Sequence, residues 1–267
     1  MRITAAEIYQ SIEAIRRESP VVHNITNYVV MNNTANALLA IGASPVMAHA
    51  EEEVEEMVNL AQALVINIGT LSDRWIASMI KAAKQAGKKG IPFILDPVGA
   101  GATAYRTQTA RELIRKASPA IIRGNASEIM ALGADKSSTR GVDSADNSGA
   151  AIVAAQKMST DYGCVVCVSG ATDYIIEGDK MVTVKNGHPL MTKVTGLGCT
   201  ASALCGAFAA VDEAYRAAIK TMAVMGIAGE MAAQMSAGPG SLQMHFLDAL
   251  YNLTEDDIVR HLRIDFR

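Results

Sequence analysis

Short β-branched runs separated by helix-length segments constrain this chain more than any other feature. The runs are "PVVHNI" (20–25), "ALVINIG" (63–69), "PFILDPVG" (92–99), "AIIRGN" (120–125) and "CVVCVSG" (164–170). The stretches 72–85, 106–116 and 144–162 between them carry helical periodicity. Strand, helix and strand in repetition predict a mostly parallel central sheet with helices on both faces, a three-layer α/β fold. Strands apolar at nearly every position are what burial on both sides demands. The pattern then breaks. "DYIIEGDKMVTVKNG" (173–187) reads as a β-hairpin turning at Gly178-Asp179, and from "VTGLG" (194–198) the chain is helical almost to its end. No Pro/Gly/Ser linker or internal repeat divides the sequence, so residues 1–267 are expected to form one domain.

Charge and composition remove several function classes. The net charge of −3 gives no basic footprint for nucleic acid, and 4% aromatic residues leave little to stack on bases. Fourteen Met and many Ala suit a tightly packed helical exterior. The N-terminal "MRITAAEIYQSIEAIRRES" mixes both charges and has no apolar signal block. The uncharged run 194–211 is diluted by Gly, Thr and Ser and lacks flanking anchors, so no membrane span is expected and the reading is cytoplasmic. Cys164 and Cys167 form a C-x-x-C, but within a strand-like run their side chains point to opposite faces, and no second ligand pair follows with zinc spacing. They read as core residues, and Cys205 as a packing residue.

Ligands of such sheets bind where strands end and helices begin. Four strand ends carry polar residues. In "ILDPVGAGATAYR", Asp96 closes an apolar run, and Gly99 and Gly101 are expected to turn main-chain N–H groups toward an anion or metal-phosphate; a plain Asp-capped glycine turn is the alternative. In "IIRGNASEIMAL", Asn125 and Glu128 have the spacing of a capping box. The alternative gives Arg123 to a phosphate and Glu128, with Asp96, to hydrated Mg²⁺, which takes one or two carboxylates. In "CVSGATDYI", Ser169 and Gly170 end a strand and either touch a nucleotide or simply turn. In "VTGLGCTASAL", Gly196 and Gly198 open a helix whose first turn holds Cys199. Free N–H groups and the helix dipole there can grip a phosphoryl group and stabilise its charge in transfer. The same field is expected to lower the thiol's pKa.

Taken together, "HNITNYVVMNNTANALLAIGASPVMA", "NIGTL", "ILDPVGAGATAYR", "IRGNASEI", "NGHPLMTKVTGLGCTASALCGAF" and "GPGSLQ" resemble the 4-methyl-5-(2-hydroxyethyl)thiazole kinases, salvage enzymes of thiamine synthesis with a ribokinase-like fold. The resemblance spans almost the whole chain. It implies ATP-dependent phosphorylation of the thiazole's primary alcohol. It implies Arg123 and Ser169, with Asn125 beside them, on ATP; Asp96 and Glu128 placing Mg²⁺; and Asn27, Met47 and Gly196 on the substrate side. It puts Gly196-Leu197-Gly198-Cys199 where ribokinase-like enzymes carry Gly-x-Gly-Asp, so a thiol stands at the alcohol-activating position. It also implies a homotrimer with sites between subunits. Rival readings are a hydroxymethylpyrimidine or pyridoxal kinase, which normally has Asp at position 199, an ATP-dependent dehydratase of hydrated nicotinamide nucleotides, and a nucleotide-binding protein without turnover.

Overall fold

In the computed structural model, which describes residues 2–134 and 147–266, the chain runs α1 (Ala5–Glu18), β1 (Val21–Ile25), α2 (Met31–Ile41), β2 (Ser44–Val46), α3 (Val54–Leu60), β3 (Ala63–Asn67), α4 (Asp73–Lys89), β4 (Phe93–Asp96), α5 (Ala104–Ala117), β5 (Ile121–Asn125), α6 (Ala126–Gly133), α7 (Asn147–Tyr162), β6 (Val165–Ser169), β7 (Asp173–Glu177), β8 (Lys180–Val184), α8 (Leu197–Ala209), α9 (Ala214–Gln234), α10 (Pro239–Asn252), α11 (Glu255–His261) and β9 (Ile264–Phe266). The expected helix 144–162 is found from Asn147 on, and positions 144–146 lie outside the described residues.

Among the described residues, one sheet of nine strands, in the order β2-β1-β3-β4-β5-β6-β7-β8-β9, forms the middle layer. Pairing is parallel from β2 to β6. It turns antiparallel at the hairpin β7–β8, whose turn uses Gly178 at φ 57°, and at β9. Two apolar cores follow from the strand pleat. Val22, Val65, Ile94 and Cys167 meet α1, α2, α8, α9 and α10 on one face, while Leu64, Ile66, Leu95 and Cys164 meet α3 to α7 on the other. The C-x-x-C thus divides between opposite faces, both thiols free and buried. Among the described residues, no helix is long and apolar enough to cross a membrane.

Local chemistry explains the helix limits. Ser72 accepts from the Trp75 N–H at the start of α4, and Gly90, at φ 77°, ends it after Lys88 and Lys89. Helix α8 obeys another rule. Every residue from 200 to 209 is buried, so it has no polar stripe. Small side chains let it lie directly on the sheet: a Cβ at Gly206 would come within 2.7 Å of Val65 Cγ2. Its N-terminus consequently meets the carboxyl ends of the central strands.

Because β2 and β3 flank β1 on opposite sides, and α2 and α3 cover opposite faces, the winding reverses between β1 and β3. A crevice at the carboxyl ends of the strands is the expected ligand site at such a reversal. The three-residue strands β2 and β9, at the two sheet edges, and the short helix α3 are among the elements the sequence pattern does not predict.

Candidate active site

The reversal is lined by a relay of amides. Asn27, just past β1, donates from Nδ2 to Asn67 Oδ1 at 2.8 Å. Asn67, the last residue of β3, donates to Asp96 Oδ2 at 2.7 Å, in register with it across the strand pair. Ser202, on the second turn of α8, donates to the same Asp96 oxygen at 2.7 Å. The Asp96 carboxylate therefore turns inward instead of projecting into solvent. Burial pushes its pKa up to about 6, against the pull of Arg123, whose Nη1 lies 3.9 Å away. Its Oδ1 is buried with no hydrogen-bond partner among the described residues. Asn67 and Ser202 carry no assigned role in the sequence reading. Their signals are modest: an asparagine ending an apolar run, and a serine one helical turn after Cys199.

The start of α8 explains the two glycines. Gly196 is the N-cap at φ 86°, and a Cβ there would sit 2.7 Å from Val30 Cγ1, so both conformation and space require glycine. A Cβ at Gly198 would lie 3.3 Å from Arg123 Nη1, so this glycine lets the guanidinium approach the helix backbone. The first intrahelical bond is Thr200 N–H to the Gly196 carbonyl at 2.8 Å. The N–H groups of Leu197, Gly198 and Cys199 have no protein acceptor among the described residues, as the geometry of a helix start dictates.

Cys199 sits in that first turn, half-buried, and Asn27 Nδ2 donates to its Sγ at 3.5 Å. The expected fall in its pKa is overturned. Burial, and next the Asp96 carboxylate, raise the thiol to about 11, outweighing the hydrogen bonds of Asn67 and Asn27. The helix dipole is legible in sequence; the closeness of an apolar wall and a carboxylate is not.

Arg123, projecting from β5, is buried and donates to Ser169 Oγ at 2.8 Å. Asn125 ends β5 opposite Ser169 and is exposed. Its Oδ1 accepts from the Glu128 N–H at 3.0 Å, and Glu128 Oε2 accepts from the Asn125 N–H at 2.8 Å, so the capping box is realised. Glu128 Oε1 accepts from the Gly99 N–H at 2.8 Å. The Gly101 N–H meets Thr107 Oγ1 at 2.8 Å. The expectation that Gly99 and Gly101 let main-chain N–H groups face a ligand is thus corrected: the Ala100 and Ala102 N–H groups bond to the Pro97 and Gly99 carbonyls, so the donors of this turn are satisfied within the protein. Met47 stands half-buried just past edge strand β2. Among the described residues, no group of three or more His, Cys, Asp or Glu converges as a metal cluster.

A cavity of about 580 Å³ opens beside Arg123, Ser169 and Gly198. Its far wall is the segment 186–192, which includes a 3₁₀ turn at Pro189–Lys193, and its floor is α9 through Met222, Met225 and Gly226. Buried Asp173 also lines it; burial raises its carboxyl to about 7, although the Gly170 N–H and Arg123 favour the charged form. Residues 186–192 lie within the motif "NGHPLMTKVTGLGCTASALCGAF", and nothing in their residue types marks them as a cavity wall. The α8 amides lie between this cavity and the Asn27–Cys199 pair, an arrangement able to hold an anionic group between two ligands.

The model of the hydroxyethylthiazole kinase family matches residues 12–256. The chain is 63% identical to a hydroxyethylthiazole kinase of Syntrophus aciditrophicus over 99% of its own length and 98% of the relative's. It superposes on the structure of a hydroxyethylthiazole kinase protein from Pyrococcus horikoshii with a TM-score of 0.91 and 43% identity, covering 97% of this chain and 98% of that one. The pyridoxal kinase from Staphylococcus aureus solved with AMP-PCP and pyridoxal superposes at a TM-score of 0.66 and 15% identity, over 93% of this chain and 98% of that one, a likeness of ribokinase-like fold alone.

Proposed function

The chain belongs to the hydroxyethylthiazole kinase family, and from that premise we propose that it transfers the γ-phosphoryl group of ATP to the primary alcohol of 4-methyl-5-(2-hydroxyethyl)thiazole in thiamine salvage. The observation that carries this reading is the set of free N–H groups at Leu197, Gly198 and Cys199, with the large cavity on one side and the Asn27–Cys199 pair on the other. ATP occupies the cavity, its phosphates toward Arg123 and Ser169 and with Asn125 at the rim. The alcohol lies beside Cys199, with Asn27, Met47 and Gly196 on the substrate side.

Phosphoryl transfer proceeds through a loose transition state, so alignment and electrostatic stabilisation do most of the work. The α8 amides and the Arg123 guanidinium meet the charge that spreads over the moving group. Cys199 stays a neutral thiol whose Sγ orients the hydroxyl; the hydroxyl proton leaves late, to an oxygen of the transferred phosphoryl group, as a loose transition state allows.

The residues fit a magnesium ion. Asp96 has a buried oxygen without a protein partner, and Glu128 faces the same turn, a donor set suited to a cation that keeps several waters. Bound there with ATP, Mg²⁺ would neutralise phosphate charge.

Residues 1–267 act as one kinase domain in the cytoplasm, assembled as a homotrimer with sites between subunits. Exposed Tyr28, Val29, Leu39 and Leu60, close in sequence to the substrate-side segments, supply apolar surface for that assembly. Incubation with Mg-ATP and the thiazole alcohol, read by mass spectrometry, tests the activity: the phosphorylated thiazole is expected. Free phosphate without it would mark ATP hydrolysis and an unchanged mixture a binding role, whereas a dehydratase would release phosphate only after hydrated nicotinamide nucleotide is added.

A further inference from the structure

We infer that Glu230, on α9 and outside the reacting groups, is the positioning residue that sets ATP affinity by clasping the cavity's far wall. This rests on the reading that the cavity takes the nucleotide. The wall 186–192 is not part of the sheet; it is held from behind. Buried Glu230 accepts at Oε1 from the Gly187 N–H at 2.6 Å, from Asn186 Nδ2 at 3.2 Å and from Arg263 Nη2. Asn186 in turn donates to the His261 carbonyl at 2.7 Å and accepts the Arg263 N–H at 2.9 Å. One carboxylate oxygen thereby joins the wall to α9 and to the chain entering β9.

Two glycines on α9 bring the wall into reach. A Cβ at Gly226 would stand 2.4 Å from Asn186 Cβ and 2.6 Å from its carbonyl carbon, and one at Gly229 would stand 2.2 Å from Met191 Sδ. Gly226 and Glu230 are one helical turn apart and so share a face. The wall is thus seated on bare helix backbone and pinned by the carboxylate beside it. Because Asn186, Gly187 and Met191 all face the cavity, a shift of the wall changes the shape offered to the nucleotide. The alcohol's position at Asn27 and Cys199 is fixed instead by the strand ends.

The test is calorimetric titration of the full chain with a non-hydrolysable ATP analogue, beside steady-state kinetics. Losing the charge-assisted bonds in Glu230→Ala is expected to weaken analogue binding about tenfold. KM for ATP should rise in parallel, while KM for the thiazole alcohol and kcat change little. Glu230→Gln, which keeps an acceptor for Gly187, should recover most of the affinity. Arg123→Ala serves as the reference for the cavity itself. Unchanged affinity in Glu230→Ala with weakened binding in Arg123→Ala overturns the inference and leaves the nucleotide reading standing. Unchanged affinity in both overturns both. Equal rises in the two KM values, or a fall in kcat alone, also overturn it, since they mark general loosening. Should Glu230→Ala not fold, Arg263→Ala, half-exposed, decides: a smaller loss confined to ATP supports the clasp, and none overturns it.

Discussion

A thiol held near pKa 11 is un-ionised throughout the neutral range. The pH profile of kcat for the native chain and for Cys199→Ala is therefore expected to share its shape between pH 7 and roughly 9, the range where an ordinary thiol titrates. The variant should be slower with ATP affinity little changed. A limb at roughly pH 8–9, the reference thiol range, found only in the native chain would mean a thiolate takes part. Asp173 offers a second test. Its folded pKa of about 7 lies above the ordinary carboxylate value, so the folded state holds the proton more tightly than the unfolded chain. Stability from this group is complete at acid pH and falls as pH rises through 7. Asp173→Asn should raise Tm by a few degrees at pH 8, with the gain vanishing near pH 4–5, about where the unfolded carboxyl itself protonates. A gain independent of pH would exclude the cause given. At this scale the residue types were legible and their surroundings were not. Cys199, Asp96 and Arg123 stand out in the sequence, whereas the burial that raises Cys199 and Asp96, and the Ser202 and Asn67 hydrogen bonds that oppose it at Asp96, come from residues distant along the chain.

Helix α8 shows why two glycines in one motif are not equivalent. Gly196→Ala forces a side chain into the left-handed region and against Val30, at an expected cost of about 1–3 kcal/mol in stability. Gly198 has an ordinary helical position, and its Cβ meets the movable end of Arg123. Gly198→Ala should leave Tm nearly unchanged and lower kcat by displacing the guanidinium. Thermal melts and steady-state rates of the pair check this; the reverse order of effects would contradict the packing. Elements with strong internal patterns were readable: the five apolar runs became β1, β3, β4, β5 and β6, and "EGDK" marked the hairpin. The strands β2 and β9 were not, because three residues carry no periodicity and their place depends on neighbours. The pairing of the Gly99 and Gly101 N–H groups resists reading for a related reason: the turn is legible, but its acceptors are side chains of the helices that follow, Glu128 on α6 and Thr107 on α5.

Across the whole molecule, the order of strands was implied only in outline. Alternation predicts a parallel layer, yet the reversal between β1 and β3 arises from which face each helix covers, and local sequence does not state that. The C-terminal edge is joined to the cavity wall through Arg263 and Asn186. Deleting residues 262–267 should therefore raise KM for ATP while leaving KM for the alcohol near its native value. A uniform loss of activity without that split would separate the edge from the nucleotide.

Helix α8 is enclosed on every side from 200 to 209. Such a rod cannot yield to a bulkier guest by tilting or by swapping one side chain for a smaller one, since the side chains that touch the sheet are already near minimal size. If the alcohol docks beside Asn27 and Cys199 as proposed, acceptors of other dimensions would have to find their room away from this helix, on the Met47 side, with α8 itself untouched.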